Sequence, residues 1–167
     1  MLCLIIRQPY ASLIAYGCKR WEFRSYNTTK RGRIAIASSR GPPLKTANQE
    51  LNKIAKHFPR GLTLATANLV NSFIVTNEDL KKMFTGTTQV RIHDKKFAVA
   101  KDPLGEPVED ITLATEDPKW TSYVWELEDV VALSKPIDIC KRSNSAWSIV
   151  EIEESSLTRK HLINSYF

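Results

Sequence analysis

Residues 8–24, QPYASLIAYGCKRWEFR, decide how the chain is read. Pro9 suits the first turn of a helix, where its missing N–H costs no hydrogen bond, and Gly17 supplies the left-handed residue that ends one. Between them runs a short apolar helix. From Cys18 to Tyr26 the period changes to two: Trp21 and Phe23 point one way, Arg20, Glu22 and Arg24 the other. Charges on a strand that buries one face must be paired or used, because an unpaired buried charge is costly. Glu22 and Arg24 lie two residues apart on the charged face, within reach of each other, and Lys19 enters from the helix–strand junction. Two readings stay open. One is an internal ion pair that fixes the strand. The other is a polar pocket in which Lys19 and Arg24 meet a phosphate, while Glu22 orients Arg24 or accepts from a base amino group.

Downstream, NTTKRGR (27–33) reads as a basic turn and RIAIASS (33–39) as a second, largely buried strand. GPPLKTANQELNKIAKHF (41–58) predicts an amphipathic helix opened by Pro43, with Leu44, Ala47, Leu51, Ile54 and Ala55 as its apolar stripe. GLTLATANLVNSFIVT (61–76) is rich in β-branched residues and predicts one bent strand or two. NEDLKKMF (77–84) predicts a short helix capped by Asn77. A hairpin is expected over residues 88–100. KDPLGEPVEDITLATEDPK (101–119), with three prolines and six acids, completes an expected surface insertion at about 85–119. Strands return in SYVWELEDVVAL (122–133) and SAWSIVEIEE (145–154), and the tail from Ser155 predicts a terminal helix. Short strands with few helices do not fit βαβ alternation. The expected fold is α+β: one domain over 1–167, a small, mostly antiparallel β-barrel decorated by three to four helices.

The 167 residues, 43% hydrophobic and 25% charged, are those of a globular protein with a sizeable core. No apolar run approaches the roughly 20 residues that span a bilayer, and the N-terminus lacks the features of a signal peptide. An intracellular, cytoplasmic protein with no membrane partner is expected. Cys3, Cys18 and Cys140 form no C-x-x-C pair, and His57, His93 and His161 stand far apart, so neither disulfides, a metal nor a cofactor is expected. The net charge of +6 is unevenly spread. Residues 1–60 hold twelve bases and two acids, +10; residues 61–167 hold twelve bases and sixteen acids, −4. A basic segment of this kind attracts polyanions.

The motif Gly17-x-Lys19-x-x-Glu22-x-Arg24, with the QP opening, the RGRIAIASS segment, the YVWELEDVVALSKPI strand and SAWSI, resembles the ASCH (activating signal cointegrator homology) domain of the PUA-like superfamily. The resemblance covers roughly residues 2–76 and 121–152. It implies a β-barrel whose motif lines a cleft that takes RNA or a nucleotide-like ligand. In small relatives that hydrolyse acetylated cytidine, Thr stands where this chain has Glu22; a ribonuclease activity is also attributed to the family. The resemblance thus implies a binding module first, and a hydrolase second, with Lys19 and Glu22 as its catalytic pair.

The candidate cleft residues are Gln8, Lys19, Glu22, Arg24, Ser38 and Ser39. Lys30, Arg31 and Arg33 on the basic turn, with Arg40, are candidate phosphate contacts. Trp125 and Trp147 are candidate stacking surfaces for an unpaired base, or else core residues. RNA or single-stranded nucleic acid is the expected partner. A protein partner docked on the acidic 102–117 segment is the remaining alternative.

Overall fold

A computed structural model describes residues 1–46, 48–92, 94–104, 107–109, 120–139 and 146–152. The elements run β1 (Leu2–Ile6), α1 (Tyr10–Ala15), β2 (Trp21–Arg24), β3 (Gly32–Ser38), α2 (Gln49–Ala55), β4 (Leu62–Thr76) and α3 (Asn77–Met83). They continue with β5 (Thr87–Ile92), β6 (Lys95–Lys101), β7 (Pro107–Glu109), β8 (Thr121–Asp138) and β9 (Trp147–Ile149). The protein is α+β and mostly antiparallel. Six strands form one sheet in the order β2-β8-β4-β3-β1-β9, whose one parallel pair is β1 with β3.

The barrel expected from the sequence does not close: among the described residues, β2 and β9 remain the edges of the sheet. The sheet nevertheless curls strongly. β4 and β8 pair over most of their length, with three register shifts that bend them. At one shift Asp129 takes a positive φ of 48°, and its carboxylate accepts from Asn68 Nδ2 at 3.2 Å. The curl brings β2 back towards β1. There, instead of a backbone ladder, the Arg24 guanidinium crosses the gap and donates to the Ile5 carbonyl at 3.1 Å. The concave face holds Leu4, Ile6, Ile34, Ile36, Leu69, Trp125 and Leu127, and α1 plugs it with Ala11 and Ile14.

The other face of α1 meets α2 and the β5–β6 hairpin, where Leu13, Leu51, Ile54, Phe58, Ile92, Phe97 and Val99 form a second core. Trp21 buries on the side of β2 away from the charges, with Val75, Leu80, Val124 and Phe84; Phe23, expected there too, is only partly buried against this cluster, and its ring also lies 5.3 Å from Lys19 Nζ.

Gly17, at φ +73°, ends α1 as expected. Cys18 N–H donates to Leu13 O at 2.8 Å and Gly17 N–H to Ile14 O at 2.9 Å, so the chain turns sharply off the helix. Residues 61–76 form one bent strand.

Two helix starts differ from expectation. Pro43 does not open α2. The segment before it is tethered by Leu44 N–H to the Gln8 carbonyl at 2.7 Å and by Arg7 Nη2 to Pro42 O at 3.1 Å, so the helix begins only after Asn48. α3 is capped by Thr76 rather than Asn77, in a capping box with Asp79. Ala47, most of the acidic segment and the expected terminal helix lie outside the described residues. Among the described residues no helix is long and apolar enough to cross a membrane.

Candidate functional site

The turn after α1 aims Lys19 into the gap between β1 and β2. Its side chain is 2% exposed. The ammonium donates to the Trp21 carbonyl and lies 3.8 Å from Glu22 Oε2. It also sits 5.1 Å from the centroid of the Tyr10 ring and 5.3 Å from that of Phe23, so two aromatic faces share its charge. The second Glu22 oxygen faces Arg24, with Nε 3.1 Å from Oε1, an ion pair too poorly aligned for a hydrogen bond. Arg24 in turn lies 5.7 Å from the Trp125 ring. One carboxylate thus stands between two cations, as period two predicts for Glu22 and Arg24.

These three side chains converge on an open cavity of about 270 Å³. Ile5 and Ile6 of β1, Arg7, Tyr10 of α1, Phe23 of β2 and Leu44 complete its described lining. Arg7, Lys19 and Arg24 against Glu22 leave a net charge of +2, set in a wall that is otherwise apolar. Such a site suits a small anion-bearing ligand with a flat apolar part. Its location follows from the fold: where β1 and β2 fail to zip, side chains fill the seam and leave room.

Several expected site residues lie elsewhere. Gln8 is fully buried and its side chain is used up: Oε1 accepts from Ser12 N–H at 3.0 Å, and Nε2 donates to Ser12 Oγ at 2.8 Å and to Pro59 O at 2.6 Å. It caps α1 and does not line the cavity. Ser38 Oγ donates to Leu62 O at 3.2 Å and accepts from Leu62 N–H at 3.3 Å, fastening β3 to β4. Ser39 sits just beyond, with an enclosed hydroxyl, also outside the cavity lining. Arg20, expected beside Glu22, precedes the first strand residue and turns instead to Asp102, 2.9 Å away, and Glu126, 3.8 Å away.

Arg33 donates to the Asp129 carbonyl and to Thr66 Oγ1, both at 2.6 Å. Partial burial lowers its pKa, Asp129 acting in the opposite sense. It braces the bend in β8. Arg40 donates to Ile139 O at 3.3 Å. Lys30 and Arg31 are exposed on their turn; Arg31 donates to the carbonyls of Thr28 and Lys30, while the Lys30 ammonium lies 5.7 Å from the Trp147 ring.

Trp125 is fully buried, so it has no face for a base: it stacks on Trp147 at 5.4 Å and donates its Nε1–H to Tyr26 O at 3.2 Å. Trp147 is half-buried against the same core. Tyr10, Phe23, Arg7 and Leu44 were not read from the sequence as site residues. Tyr10 precedes the motif and Phe23 lies within it, and cations with nearby aromatics were the available signal.

Fold and site together define a small α+β domain with a cation-lined cavity at the open seam of a curled sheet. The ASCH domain family matches residues 4–136, and the chain belongs to that family. It is 30% identical over 98 residues to human activating signal cointegrator 1; the match takes in 52% of this chain and 16% of that protein, so the chain spans only a small part of its relative. The crystal structure of ASCH from Zymomonas mobilis superposes with a TM-score of 0.50 at 13% identity, covering 95% of this chain and 96% of the other, a likeness of fold.

Proposed function

We propose that this ASCH domain binds single-stranded RNA, or a nucleotide-like ligand, in the cavity formed by Lys19, Glu22 and Arg24. The observation that carries the reading is the convergence of those three side chains on one cavity of about 270 Å³, near the lower end of the range for ligand pockets. Arg24 and Arg7 offer guanidinium forks to a phosphate, Glu22 accepts from an exocyclic amino group, and Tyr10 and Phe23 supply apolar surface. The basic N-terminal segment supports the same partner by drawing polyanions towards the seam.

The hydrolase alternative has less support. Among the described lining residues the one hydroxyl is that of Tyr10, and none is a Ser, Thr or Cys that could serve as nucleophile. The protein-docking alternative concerns an acidic segment mostly outside the described residues.

Fluorescence anisotropy with a labelled RNA hexamer at two salt concentrations tests the proposal. Affinity is expected to fall with salt by a log–log slope of about 0.7 per neutralised phosphate. Arg24→Met is expected to weaken binding about 10- to 150-fold, the worth of a charged hydrogen bond. Absence of RNA affinity at both salts refutes the proposal. Turnover of acetylated cytidine or RNA that disappears in Lys19→Met would put the hydrolase reading in its place.

A further inference from the structure

Two residues beyond Arg24, at the end of β2, stands Tyr26, the most exposed tyrosine among the described residues at 44%. Neither the motif nor the cavity includes it. Its backbone is held by the Trp125 Nε1–H at 3.2 Å, and its ring packs edge-on against Trp125 at 5.4 Å. The next residue is fixed as well: Asn27 Oδ1 accepts from Ser72 Oγ at 2.7 Å. A large aromatic ring is thus presented to solvent by an anchored backbone. It abuts the same indole over which Arg24, a residue of the cavity lining, lies at 5.7 Å. Past it come the exposed bases Lys30 and Arg31, with Lys30 over Trp147, itself stacked on Trp125. Arg24, Tyr26 and Lys30 are thus joined through one indole pair, Arg24 and Tyr26 against the buried Trp125 and Lys30 against the half-buried Trp147.

An exposed ring flanked by bases on a fixed backbone is the arrangement that stacks an unpaired base and tracks its phosphates. We infer that Tyr26 is a second nucleotide platform, on which the base adjoining the cavity-bound nucleotide stacks while Lys30 and Arg31 meet the following phosphate. The inference rests on the cavity reading for its direction along the strand. It adds a ligand length: more than one nucleotide, single-stranded, since paired bases offer no free face.

The variant set is Tyr26→Ala, Tyr26→Phe and Lys30→Gln, all at exposed side chains, with thermal unfolding as the check on folding. Binding of the labelled hexamer and of the 5′-mononucleotide is measured for each. Tyr26→Ala is expected to lower hexamer affinity roughly 5- to 150-fold, the worth of one base on an aromatic ring. Tyr26→Phe, which keeps the ring, stays within about twofold of wild type. Lys30→Gln flattens the salt dependence by about 0.7 in log–log slope. Loss of affinity is confined to the hexamer. Unchanged hexamer affinity in Tyr26→Ala overturns the platform, and the cavity reading survives if Arg24→Met still weakens binding. Equal loss in Tyr26→Ala and Tyr26→Phe would assign the effect to the hydroxyl and also overturn stacking. A duplex RNA that competes as well as the single strand does the same.

Discussion

Replacing Glu22 by Gln keeps the shape of the side chain and removes the one negative charge between Lys19 and Arg24. In the native protein its oxygens lie 3.8 Å from Lys19 Nζ and 3.1 Å from Arg24 Nε. At an effective dielectric of about 20, each attraction at such a distance is worth about 4 kcal/mol before desolvation is counted. Mutual repulsion of the two cations and the cost of holding all three groups out of water offset much of that. Removing one member of a fully buried pair costs about 3–5 kcal/mol. Arg24 keeps some contact with solvent, 19% of its side chain, so the expected loss is smaller, about 2–3 kcal/mol. For a chain of this length each kcal/mol moves the Tm by about 2–4 °C, so the variant should melt about 4–12 °C lower. Urea unfolding checks the figure independently: the midpoint should fall while the slope stays the same. Adding inorganic phosphate should restore part of the loss, because a bound anion replaces the missing charge. A variant within about 0.5 kcal/mol of wild type would mean that the three charges are not coupled, and the reasoning about the site would fail with it.

Further outcomes follow from residues outside the cavity. Trp125→Ala should cost about 3–5 kcal/mol, as expected for a fully buried indole, and its main effect should be on stability, read by urea unfolding. Burial pushes the Cys3 thiol up to about 11 and the Cys18 thiol up to about 12, so both should resist iodoacetamide at pH 8 in the folded protein and react once it is unfolded. Hydrogen bonds from the Thr76 backbone and side chain hold the Asp79 carboxyl below its usual value. A depressed carboxyl stabilises above its unfolded pKa and loses that contribution as pH falls through the folded one. The start of α3 should therefore fray in amide exchange below about pH 4; Thr76→Ala, which keeps the backbone donor, should reduce that pH dependence and Asp79→Asn should remove it.

The helix, glycine stop and charged strand of residues 8–24 were legible because each rests on local chemistry: a proline, a positive φ, an alternation. The β5–β6 hairpin and the long strands β4 and β8 were legible for the same reason. What the sequence could not convey depends on contacts distant along the chain. Whether β1 and β2 zip into a barrel turns on how far β4 and β8 curl, and periodicity says nothing of that. Pro43 was a sound helix opener by local rules, overridden when Gln8 captured the Leu44 amide. Gln8 carried a polar side chain next to the motif, yet its partners are Ser12 and a carbonyl 51 residues away. Arg20 shares the parity of Glu22 but finds Asp102 and Glu126 instead. Trp125 was readable as platform or, by preference, as core, and the preference holds; alternation alone does not reveal which face of a curled sheet lies inside. The Thr76 cap was available all along in the T-x-x-D spacing of residues 76–79.

The most direct test of the cavity is a heteronuclear NMR titration with a single-stranded RNA hexamer, following backbone amides and the Arg24 Nε–H. Binding in the seam predicts saturable shifts at Lys19, Glu22, Arg24 and Tyr10, with Tyr26 shifting for the hexamer and not for the mononucleotide. Shifts that leave residues 19–24 unmoved and gather on α3 or the β5–β6 hairpin would contradict it.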